Sequence, residues 1–433
     1  MSGNPEKNQA TVGIAILGHG TVGSEVLRLM GEYSEDLTQR IGGQLEIKGV
    51  AVSDVAKHRD SVPAELLTED AMALIQRPDV DIVVEVIGGI EYPRQLVLAA
   101  LQAGKSVVTA NKALVAAHAA ELAAAADEAG VDLYYEAAVA AAIPVIGPLR
   151  RSLAGDRVKS VMGIVNGTTN FILDAMDSTG ASYDEMLAEA TRLGYAEADP
   201  TADVEGHDAA SKAAILATLA FHTRVTSKDV YCEGISKITA ADINAAKRAG
   251  HVIKLLAICE RVDGKVSARV HPTLIPREHP LASVSKSFNA IFVEAEAAGR
   301  LMFYGNGAGG APTASAVLGD LVGAARNKVH GGRAPGDSTY ANLPICDFGD
   351  VTTRYHVDMD VNDQVGVLAH ISEQFSASGI SLRTVRQEEK GENARLIVVT
   401  HSARERDLAG VVEKLAQMDE VKSVNSVIRL ESE

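Results

Sequence analysis

The chain has 433 residues, of which 46% are hydrophobic and 23% are charged, and its formal net charge is −16. A chain of this length is too long for one hydrophobic core, so we expect two or three domains. The acidic balance, without any run of Lys or Arg, argues against nucleic-acid binding, because neutralising phosphates requires a basic surface.

The cysteines and the N-terminus predict a cytoplasmic protein. Cys232, Cys259 and Cys346 are widely spaced and form neither a disulfide framework nor a zinc-ligand pattern. The N-terminus lacks the apolar segment of a signal peptide, and the first ten residues are interpreted as a loose tail. The apolar runs are too short for a membrane span, so no membrane partner is expected.

A glycine-rich turn follows the first predicted strand. Val12–Leu17 is an apolar run typical of a parallel strand, and it leads through Gly18-His-Gly20-Thr-Val-Gly23 into a predicted helix at Ser24–Met30. The glycines permit a tight turn and a close approach of a pyrophosphate, which the helix N-terminus attracts. The context predicts dinucleotide binding; a plain glycine turn is the alternative.

The end of the second predicted strand, Leu45–Val52, bears on the choice of cofactor. Ser53 and a neighbouring Lys57 or Arg59 suit a 2′-phosphate and favour NADP, whereas Asp54 suits the ribose hydroxyl of NAD. The alternative is that Lys57 and Arg59 are solvated loop charges.

Two further strand ends carry candidate residues. Asp81–Val86 ends at Gly88, where small residues let a backbone lie close to the nicotinamide. Ser106–Thr109 ends before Lys112, and ligands bind at the carboxyl ends of strands in open α/β sheets. Lys112 is therefore a functional candidate; an exposed loop lysine is the alternative.

The most distinctive stretch is Gly194–Lys212, which contains five carboxylates and ends in a lysine. A helix is predicted from about Asp203, so Asp208 and Lys212, four residues apart, share a face. Carboxylates and one lysine facing a common space suit a small cationic, hydroxylated substrate. The alternative is a solvated acidic loop with a surface ion pair.

A second glycine-rich loop, Gly305–Pro312, precedes a predicted helix at Thr313–Ala325. It either lies against the cofactor or forms an interdomain hinge. The polar segment Gly331–Asp337 contains Gly and Pro and is interpreted as a linker.

The last eighty residues alternate in the order βαββαβ, a ferredoxin-like sandwich. The predicted elements are the strand Tyr355–Val361, a helix beginning within Asn362–Leu368, the strands Ile380–Glu388 and Ala394–His401 joined by a hairpin turn at Lys390–Asn393, the helix Arg404–Met418 and the strand Val421–Leu430. This segment resembles an ACT domain, a module that commonly binds an amino acid at an interface. The alternative is a dimerisation sandwich without a ligand.

The predicted fold class is α/β. A Rossmann nucleotide-binding domain is expected at 1–148, an α+β catalytic and dimerisation domain at 149–330, and the ferredoxin-like ACT domain at 350–433.

From about residue 11 to its end the chain resembles the homoserine dehydrogenases of the bacterial type with an ACT domain. The matching motifs are Gly-His-Gly-Thr-Val-Gly23, Thr-Ala-Asn-Lys112, Tyr-Tyr-Glu136-Ala, Asn-Gly-Thr-Thr-Asn170, Gly-Tyr-Ala-Glu197-Ala-Asp-Pro, Asp208-Ala-Ala-Ser-Lys212 and Gly-Ala-Gly-Gly-Ala-Pro-Thr313. The resemblance implies NAD(P)-dependent interconversion of L-homoserine and L-aspartate 4-semialdehyde, a step toward threonine, methionine and isoleucine.

The resemblance also implies roles for single residues. Lys212 matches the proton-transfer lysine, and Lys112 matches a lysine near the nicotinamide and the substrate that also assists catalysis. The substrate positions are Gly194, Glu197, Asp203 and Asp208, and the cofactor positions are Gly20, Thr21, Val22, Gly307 and Gly309, beside Gly18, Gly23 and Gly88.

A monovalent cation site, usually sodium, is implied at Glu136, Val139, Ala141 and Ile143, held mostly by backbone carbonyls. The family often has glycines where this chain has Ala141-Ala142, which puts the local geometry in question.

The implied chemistry suits these residue types. The α-ammonium of homoserine suits Glu197 and Asp208, and a lysine of lowered pKa accepts the proton of the hydroxyl group. Repulsion between Lys112 and Lys212 would lower the pKa of Lys212, whereas Asp208 opposes that.

Two alternatives remain. An aspartate-semialdehyde dehydrogenase requires a nucleophilic cysteine, and none of the three cysteines has a recognisable catalytic setting. An amino-acid sensor built on a decayed enzyme is disfavoured, because every matched catalytic position is present. The ACT domain predicts inhibition by L-threonine near Asn362–Leu368 and a homodimer or homotetramer.

Overall fold

The computed structural model describes residues 10–390 and 393–431. The described chain forms two compact units, one made of the residues up to Val161 with Ala214–Ser227 and Asn289–Asn342, the other of Met162–Ala213, Lys228–Phe288 and Leu343 onward. The N-terminal tail up to residue 9 and the tip of the hairpin turn at 391–392 lie outside the described residues. The domain boundaries expected from the sequence stay a prediction.

The first unit contains a six-stranded sheet in which every neighbouring pair is parallel. Its strands are β1 (Ala10–Leu17), β2 (Gly43–Ala51), β3 (Leu67–Thr68), β4 (Ile82–Glu85), β5 (Ser106–Thr109) and β6 (Leu133–Tyr134). The order β3-β2-β1-β4-β5-β6 is that of a Rossmann domain, which confirms the expected fold class.

Five helices connect these strands: α1 (Thr21–Glu32), α2 (Ser34–Ile41), α3 (Ala71–Gln76), α4 (Glu91–Gln102) and α5 (Lys112–Ala129). Helix α1 begins three residues earlier than predicted, directly inside the glycine-rich turn. Helix α5 begins at Lys112 because the side chain of Asn111 accepts the backbone N–H of Leu114.

The middle of the chain contributes β7 (Val158–Ile164), α6 (Gly167–Thr179), α7 (Tyr183–Arg192), α8 (Thr201–Val204), α9 (His207–Phe221), β8 (Tyr231–Cys232), α10 (Ala240–Arg248), β9 (His251–Val262), β10 (Lys265–Pro276), β11 (Phe288–Ala295), β12 (Gly299–Asn306) and α11 (Gly310–His330). Side-chain caps fix the starts of three of these helices. Asn166 caps α6, and capping boxes led by Ser182 and Thr239 start α7 and α10.

Helix α11 belongs to the core of the Rossmann unit. Its residues Ala314, Val317 and Leu321 are buried with strand residues such as Ile14 and Val84. The helix runs five residues past the predicted end, to His330.

The segment Gly331–Asp337 that follows α11 has no regular secondary structure, as expected for a linker, but its end is anchored. Asp337 is paired with Arg150 and accepts the hydroxyl of Tyr135, and both Arg150 and Asp337 are largely buried.

In the second unit, strands β9 and β10 form a long antiparallel hairpin. The C-terminal segment adds β13 (Thr352–Thr353), β14 (Tyr355–Asn362), α12 (Val367–Ala377), β15 (Leu382–Lys390), β16 (Asn393–Thr400), β17 (Ala403–Arg404), α13 (Glu405–Leu415) and β18 (Val421–Leu430). The strand order β18-β14-β16-β15 confirms the ferredoxin-like ACT fold. Because β18 also pairs with β10 in parallel, the hairpin and the ACT strands form one sheet.

The two faces of the ACT sheet differ in chemistry, because successive side chains of a strand point to opposite faces. On β14, Val357 and Met359 lie in a core with Ile371 of α12 and Leu408 of α13. The alternating residues, among them His356, point to the face without these helices, which we call the open face.

Among the described residues, no helix is both long and apolar enough to cross a membrane.

Candidate active site

The glycine-rich turn of the Rossmann unit has the geometry that close backbone packing requires. Gly18 has φ +104°, and a Cβ on Gly23 would lie 2.2 Å from the carbonyl oxygen of Gly18. A Cβ on Gly20 would meet no atom within 4 Å, so the space above this residue is open. Turn and open space together suit a pyrophosphate at the N-terminus of α1.

A cavity of about 530 Å³ lies beside this turn. Its lining includes Gly18, Gly20, Ser53 and His58. Ser53 thus lies in the lining, whereas Asp54 turns to its own loop, where its carboxylate accepts the backbone N–H of Ala56 at 3.0 Å.

The basic residues near this cavity differ from the expected ones. Lys57 is highly exposed and lies 3.5 Å from Asp54, and Arg59 is exposed. His58 lines the cavity and lies edge-on to the ring of His19, with the ring centroids 5.1 Å apart. Burial, and then the nearby His58, lower the pKa of His19.

The second glycine-rich loop lies next to the first within the same unit. A Cβ on Gly310 would lie 2.9 Å from the carbonyl oxygen of Thr21, at the start of α1. Gly307 packs against Asn289 so closely that a Cβ would lie 2.0 Å from the amide nitrogen of Asn289. Gly309 has φ +119° and precedes α11. The loop therefore lies against the first glycine-rich turn, and its contact with the cofactor stays a prediction.

A buried hydrogen-bond network joins the carboxyl ends of β4 and β5. Glu85 is fully buried, and its carboxylate accepts the N–H of Ile87 at 2.7 Å and the hydroxyl of Thr109 at 2.5 Å. Asn111 donates its side-chain amide to the carbonyl of Gly89 at 2.8 Å. The network fixes the Gly88-Gly89 loop and the start of α5, where Lys112 is exposed.

The Gly194–Lys212 stretch folds as a loop, the short helix α8 and then α9. Lys212 and Asp208 are only 6% and 8% exposed, and Lys212 Nζ lies 2.7 Å from Asp208 Oδ2. Lys212 also donates to the carbonyl of Val165 at 2.6 Å. The interpretation of this pair as a surface ion pair is therefore wrong.

Asn166 connects this pair to a second carboxylate. Its side-chain nitrogen donates to Asp208 Oδ2 at 2.9 Å and to Asp203 Oδ1 at 2.7 Å. Its side-chain oxygen accepts the N–H of Thr169 and caps α6. Two carboxylates and one ammonium give this cluster a formal charge of −1, which attracts a cationic group.

The other two expected substrate residues lie on the exposed loop before α8. Glu197 is exposed, and within the described part of the chain its side chain makes no hydrogen bond that we find. Gly194 has φ +78° and ends the turn after α7. The loop is attached to α6, because Thr168 donates its hydroxyl to the carbonyl of Tyr195 at 2.7 Å.

The residues that follow strand β8 contact both the end of α8 and strand β18 of the ACT fold. The N–H of Ile235 donates to the carbonyl of Val204 at 2.8 Å, at the end of α8. Two residues earlier, Glu233 accepts Nη1 of Arg429 on β18 at 2.6 Å. The other guanidinium nitrogen of Arg429 donates to Glu405, the first residue of α13, at 2.5 Å.

The expected cation site lies in the Rossmann unit, and the carboxylate of Glu136 is engaged by protein there. It accepts the N–H groups of Val145, Ile146 and Gly147 at 2.6–2.7 Å. The backbone is the better candidate for a ligand set. Val139, Ala141 and Ile143 are buried, and within the described chain no main-chain hydrogen bond of a turn or loop ends on their carbonyls.

This segment also shows the effect of alanines at positions where the family often has glycines. Ala140 and Ala141 have φ values of +56° and +44°, a region that glycine adopts without steric cost. The strain falls one residue earlier than the Ala141-Ala142 pair that the sequence singled out.

Three sequence profiles match the chain. They are those of the homoserine dehydrogenase NAD-binding domain at residues 18–136, of homoserine dehydrogenase at 144–322 and of the ACT domain at 355–420. A homoserine dehydrogenase of Corynebacterium glutamicum is 75% identical over 99% of this chain and 98% of its own length. One of Bacillus subtilis is 42% identical over 96% of this chain and 98% of its own.

The chain belongs to the homoserine dehydrogenase family. Among solved structures, the homoserine dehydrogenase of Thiobacillus denitrificans matches with a TM-score of 0.93 and 40% identity, covering 98% of this chain and 99% of its own. An archaeal homoserine dehydrogenase in complex with NADPH matches with a TM-score of 0.62 and 27% identity, covering 72% of this chain and 97% of its own. The chain is accordingly an NAD(P)-dependent oxidoreductase.

Sequence reasoning missed two residues that lie among the candidate site residues. Asn166 was singled out only as the start of the matched motif that ends at Asn170, although it contacts both Asp203 and Asp208. His58 lies in the sequence between Lys57 and Arg59, which were the residues considered for the 2′-phosphate. Of these three residues, His58 is the one that lines the cavity. For Asn166 the sequence did contain a signal. The residue lies in a motif that matches the family, just after the end of strand β7, and ligands often bind at the carboxyl ends of strands.

Replacing Glu85 by Gln should remove a pH dependence of stability. Burial raises the pKa of Glu85 to about 7 from 4.5, so between these values the folded state binds more protons than the unfolded state. The free energy of unfolding therefore falls by about 3 kcal/mol as the pH rises through this window. In urea unfolding, Glu85→Gln should lose that decrease, and Glu65→Gln, at an exposed position, should keep it. An unchanged pH profile in Glu85→Gln would contradict the assignment.

Proposed function

We propose that Lys212 is the proton carrier of the homoserine dehydrogenase reaction in this chain. The observation that supports this is its burial beside Asp208 and the Val165 carbonyl, which fixes the amine instead of leaving it to solvent. A fixed lysine in a site of low water content suits general acid–base chemistry.

The proposed reaction transfers a proton and a hydride. In the oxidative direction a neutral Lys212 accepts the proton of the C4 hydroxyl of L-homoserine as the C4–H bond breaks. NAD(P)⁺ would supply the acceptor for that hydrogen as hydride, and the product is aspartate 4-semialdehyde. In the reductive direction the Lys212 ammonium donates its proton to the aldehyde oxygen. No covalent intermediate with the lysine is required.

We assign substrate binding to Gly194, Glu197, Asp203 and Asp208. The formal charge of −1 on the cluster around Asn166 favours the α-ammonium of the amino acid. Glu197, exposed on the preceding loop, is available to add a second carboxylate contact. Lys112, at the start of α5, is assigned an assisting role near the nicotinamide.

Replacing Lys212 by Met should lower kcat for homoserine oxidation by about 10²- to 10⁴-fold, the usual contribution of a positioned acid or base. The formation of reduced cofactor by absorbance measures the rate. The exposed Lys237 provides the control, because Lys237→Met should retain activity.

Loss of folding must be separated from loss of proton transfer, because Lys212→Met leaves Asp208 without its ion-pair partner. Lys212→Met/Asp208→Asn removes both charges and should fold, as judged by thermal unfolding and by NADPH fluorescence on binding. A folded variant that retains full activity would refute the role of Lys212.

We propose NADP as the preferred cofactor, with the phosphates at Gly18, Gly20, Thr21, Val22 and Gly23. The support is that Ser53 and His58 line the cavity and Asp54 does not. Gly88, Gly307 and Gly309 complete the proposed cofactor contacts.

Replacing Ser53 by Asp should raise KM for NADP⁺ about tenfold and leave KM for NAD⁺ unchanged or lower, because a carboxylate repels the 2′-phosphate and accepts the ribose hydroxyl. Steady-state kinetics with both cofactors measure this. Ser34→Asp adds the same charge at an exposed position of α2 and should change neither value. Equal effects on both cofactors would contradict the preference.

We propose a monovalent cation, the sodium usual in the family, held by the backbone carbonyls of Glu136, Val139, Ala141 and Ile143. The support is the set of buried carbonyls described above, and the ion would add positive charge at the edge of the Rossmann unit. The carboxylate of Glu136 is not assigned as a ligand, since three backbone N–H groups already bind it.

We propose that the ACT domain binds L-threonine near Asn362–Leu368 as a feedback inhibitor. The Arg429 contacts to Glu405 and Glu233 offer a physical route from the ACT helices to the substrate segment. Val365 is fully exposed and Leu368 is 43% exposed, which suits pairing with a second ACT domain in a homodimer or homotetramer. Three free thiols fit the cytoplasm as the location.

Replacing Asp363 by Asn should raise the threonine concentration for half-inhibition about tenfold, because Asp363 is the one carboxylate of this loop and an α-ammonium requires a counter-charge. Inhibition is measured relative to each variant's own uninhibited rate. Asp407→Asn, on an exposed turn of α13, should keep normal sensitivity. Unchanged inhibition of Asp363→Asn would place the effector elsewhere.

A further inference from the structure

A second large cavity, of about 600 Å³, lies in the second unit on the open face of the ACT sheet. Its walls are the end of α10, the adjoining ends of β9 and β10, and the strands β14, β15, β16 and β18. It is separate from the cluster around Lys212, with which it shares no lining residue. Its volume is in the usual range of small-molecule sites.

The lining of this cavity is strongly basic. Four arginines contribute, Arg248 from α10, Arg354 before β14, and Arg383 and Arg386 from β15. The one carboxylate in the lining, Glu431, accepts a hydrogen bond at 3.1 Å from Arg269, which also pairs with Glu260, so one carboxylate stands against four arginines.

Two of these arginines have no counter-charge that we find. Arg386 pairs with Glu388 at 3.1 Å, but neither Arg248 nor Arg383 has an ion-pair partner within residues 10–390 and 393–431. Several cations around one concave space raise its positive potential and favour an anion there. Arginine is also the side chain whose planar guanidinium binds phosphate or carboxylate through paired hydrogen bonds.

A buried polar atom at the floor of the cavity supports the same conclusion. His356 is only 4% exposed, and its Nδ1 has no hydrogen-bond partner on another described residue. Buried polar atoms are almost always hydrogen-bonded, so an unpartnered one at a cavity calls for an explanation. The titratable groups around this ring are His251 and Asp242 from the α10 side and Asp358 from its own strand.

We propose that this cavity binds a small organic anion whose phosphate or carboxylate groups are held by Arg248, Arg354, Arg383 and Arg386. Apolar lining from Ile397, Val399 and Leu430 receives the rest of the molecule. The site lies on the face of the ACT sheet opposite to α12, and so differs from the loop proposed for threonine. It does not depend on the proposed role of Lys212.

The test is isothermal titration of full-length protein with two probes, inorganic pyrophosphate and citrate, at low ionic strength, where screening is weak. The variant Arg383→Gln/Arg386→Gln should bind the effective probe about tenfold more weakly than the unchanged chain. Arg261→Gln, an exposed arginine on β9 outside the cavity, should bind normally. Pyrophosphate can also bind at the glycine-rich turn. Only the part of the binding heat that is present in the unchanged chain and absent in the double variant is therefore assigned to this cavity.

Binding of pyrophosphate alone would identify a phosphorylated ligand, and binding of citrate alone a carboxylate, and either supports the site. Equal affinities in all three proteins would overturn it, as would no binding of either probe. A change in oligomeric mass of the double variant with unchanged anion binding would also overturn it, by making the open face a contact between copies. Arg248→Gln provides a second variant should the double variant fail to fold.

Discussion

The buried ion pair of Lys212 and Asp208 is the interaction on which the fold of the Gly194–Lys212 stretch depends. Removing two charges from water is expensive, and it is tolerated only when both are hydrogen-bonded with good geometry. Here Val165 supplies a carbonyl to the lysine and Asn166 supplies an amide to the carboxylate. These contacts hold the start of α6 and the face of α9 together.

Asn166 makes this arrangement specific. Its oxygen is committed to the first turn of α6, which fixes the orientation of the amide. Its nitrogen must then donate, and both of its acceptors are carboxylates, Asp203 and Asp208. An aspartate at this position could cap the helix equally well, but it would place a third carboxylate in the cluster. Asparagine at this cap position therefore also keeps the formal charge of the cluster at −1.

Much of this organisation could be predicted from particular residues. The glycine spacing between a strand and a helix predicted the Rossmann unit, and the period-2 pattern of Tyr355–Val361 predicted the first ACT strand. The spacing of Asp208 and Lys212 predicted their shared face, but not their burial, because the burying groups come from distant segments such as Val165. The close approach of Gly310 to Thr21 could not be predicted for the same reason, because the two residues are distant in the sequence.

Other features had no local signal. Residues 252–259 of the hairpin strand β9 are apolar apart from Lys254, and such a run is typical of a buried helix as much as of a buried strand. Strands β11 and β12 were not predicted. Lys112 is the first residue of α5 because the side chain of Asn111 caps the helix, a contact that the sequence analysis did not predict. Helix boundaries are set by such single side-chain contacts, which composition does not reveal.

The pairing of β10 with β18 changes how the ACT segment should be regarded. An attached regulatory module would leave the rest of the unit intact on removal, but here the ACT sheet shares strands with the hairpin. Without β18, the edge of β10 would be exposed, Glu233 would lose Arg429, and Arg269, fully buried, would lose Glu431. In a chain truncated before the ACT domain, damage to the second unit would therefore be measured together with any loss of regulation. The same continuity means that a ligand on the ACT strands acts on a sheet that reaches β8 through β10, so that coupling in this unit needs no movement of separate bodies.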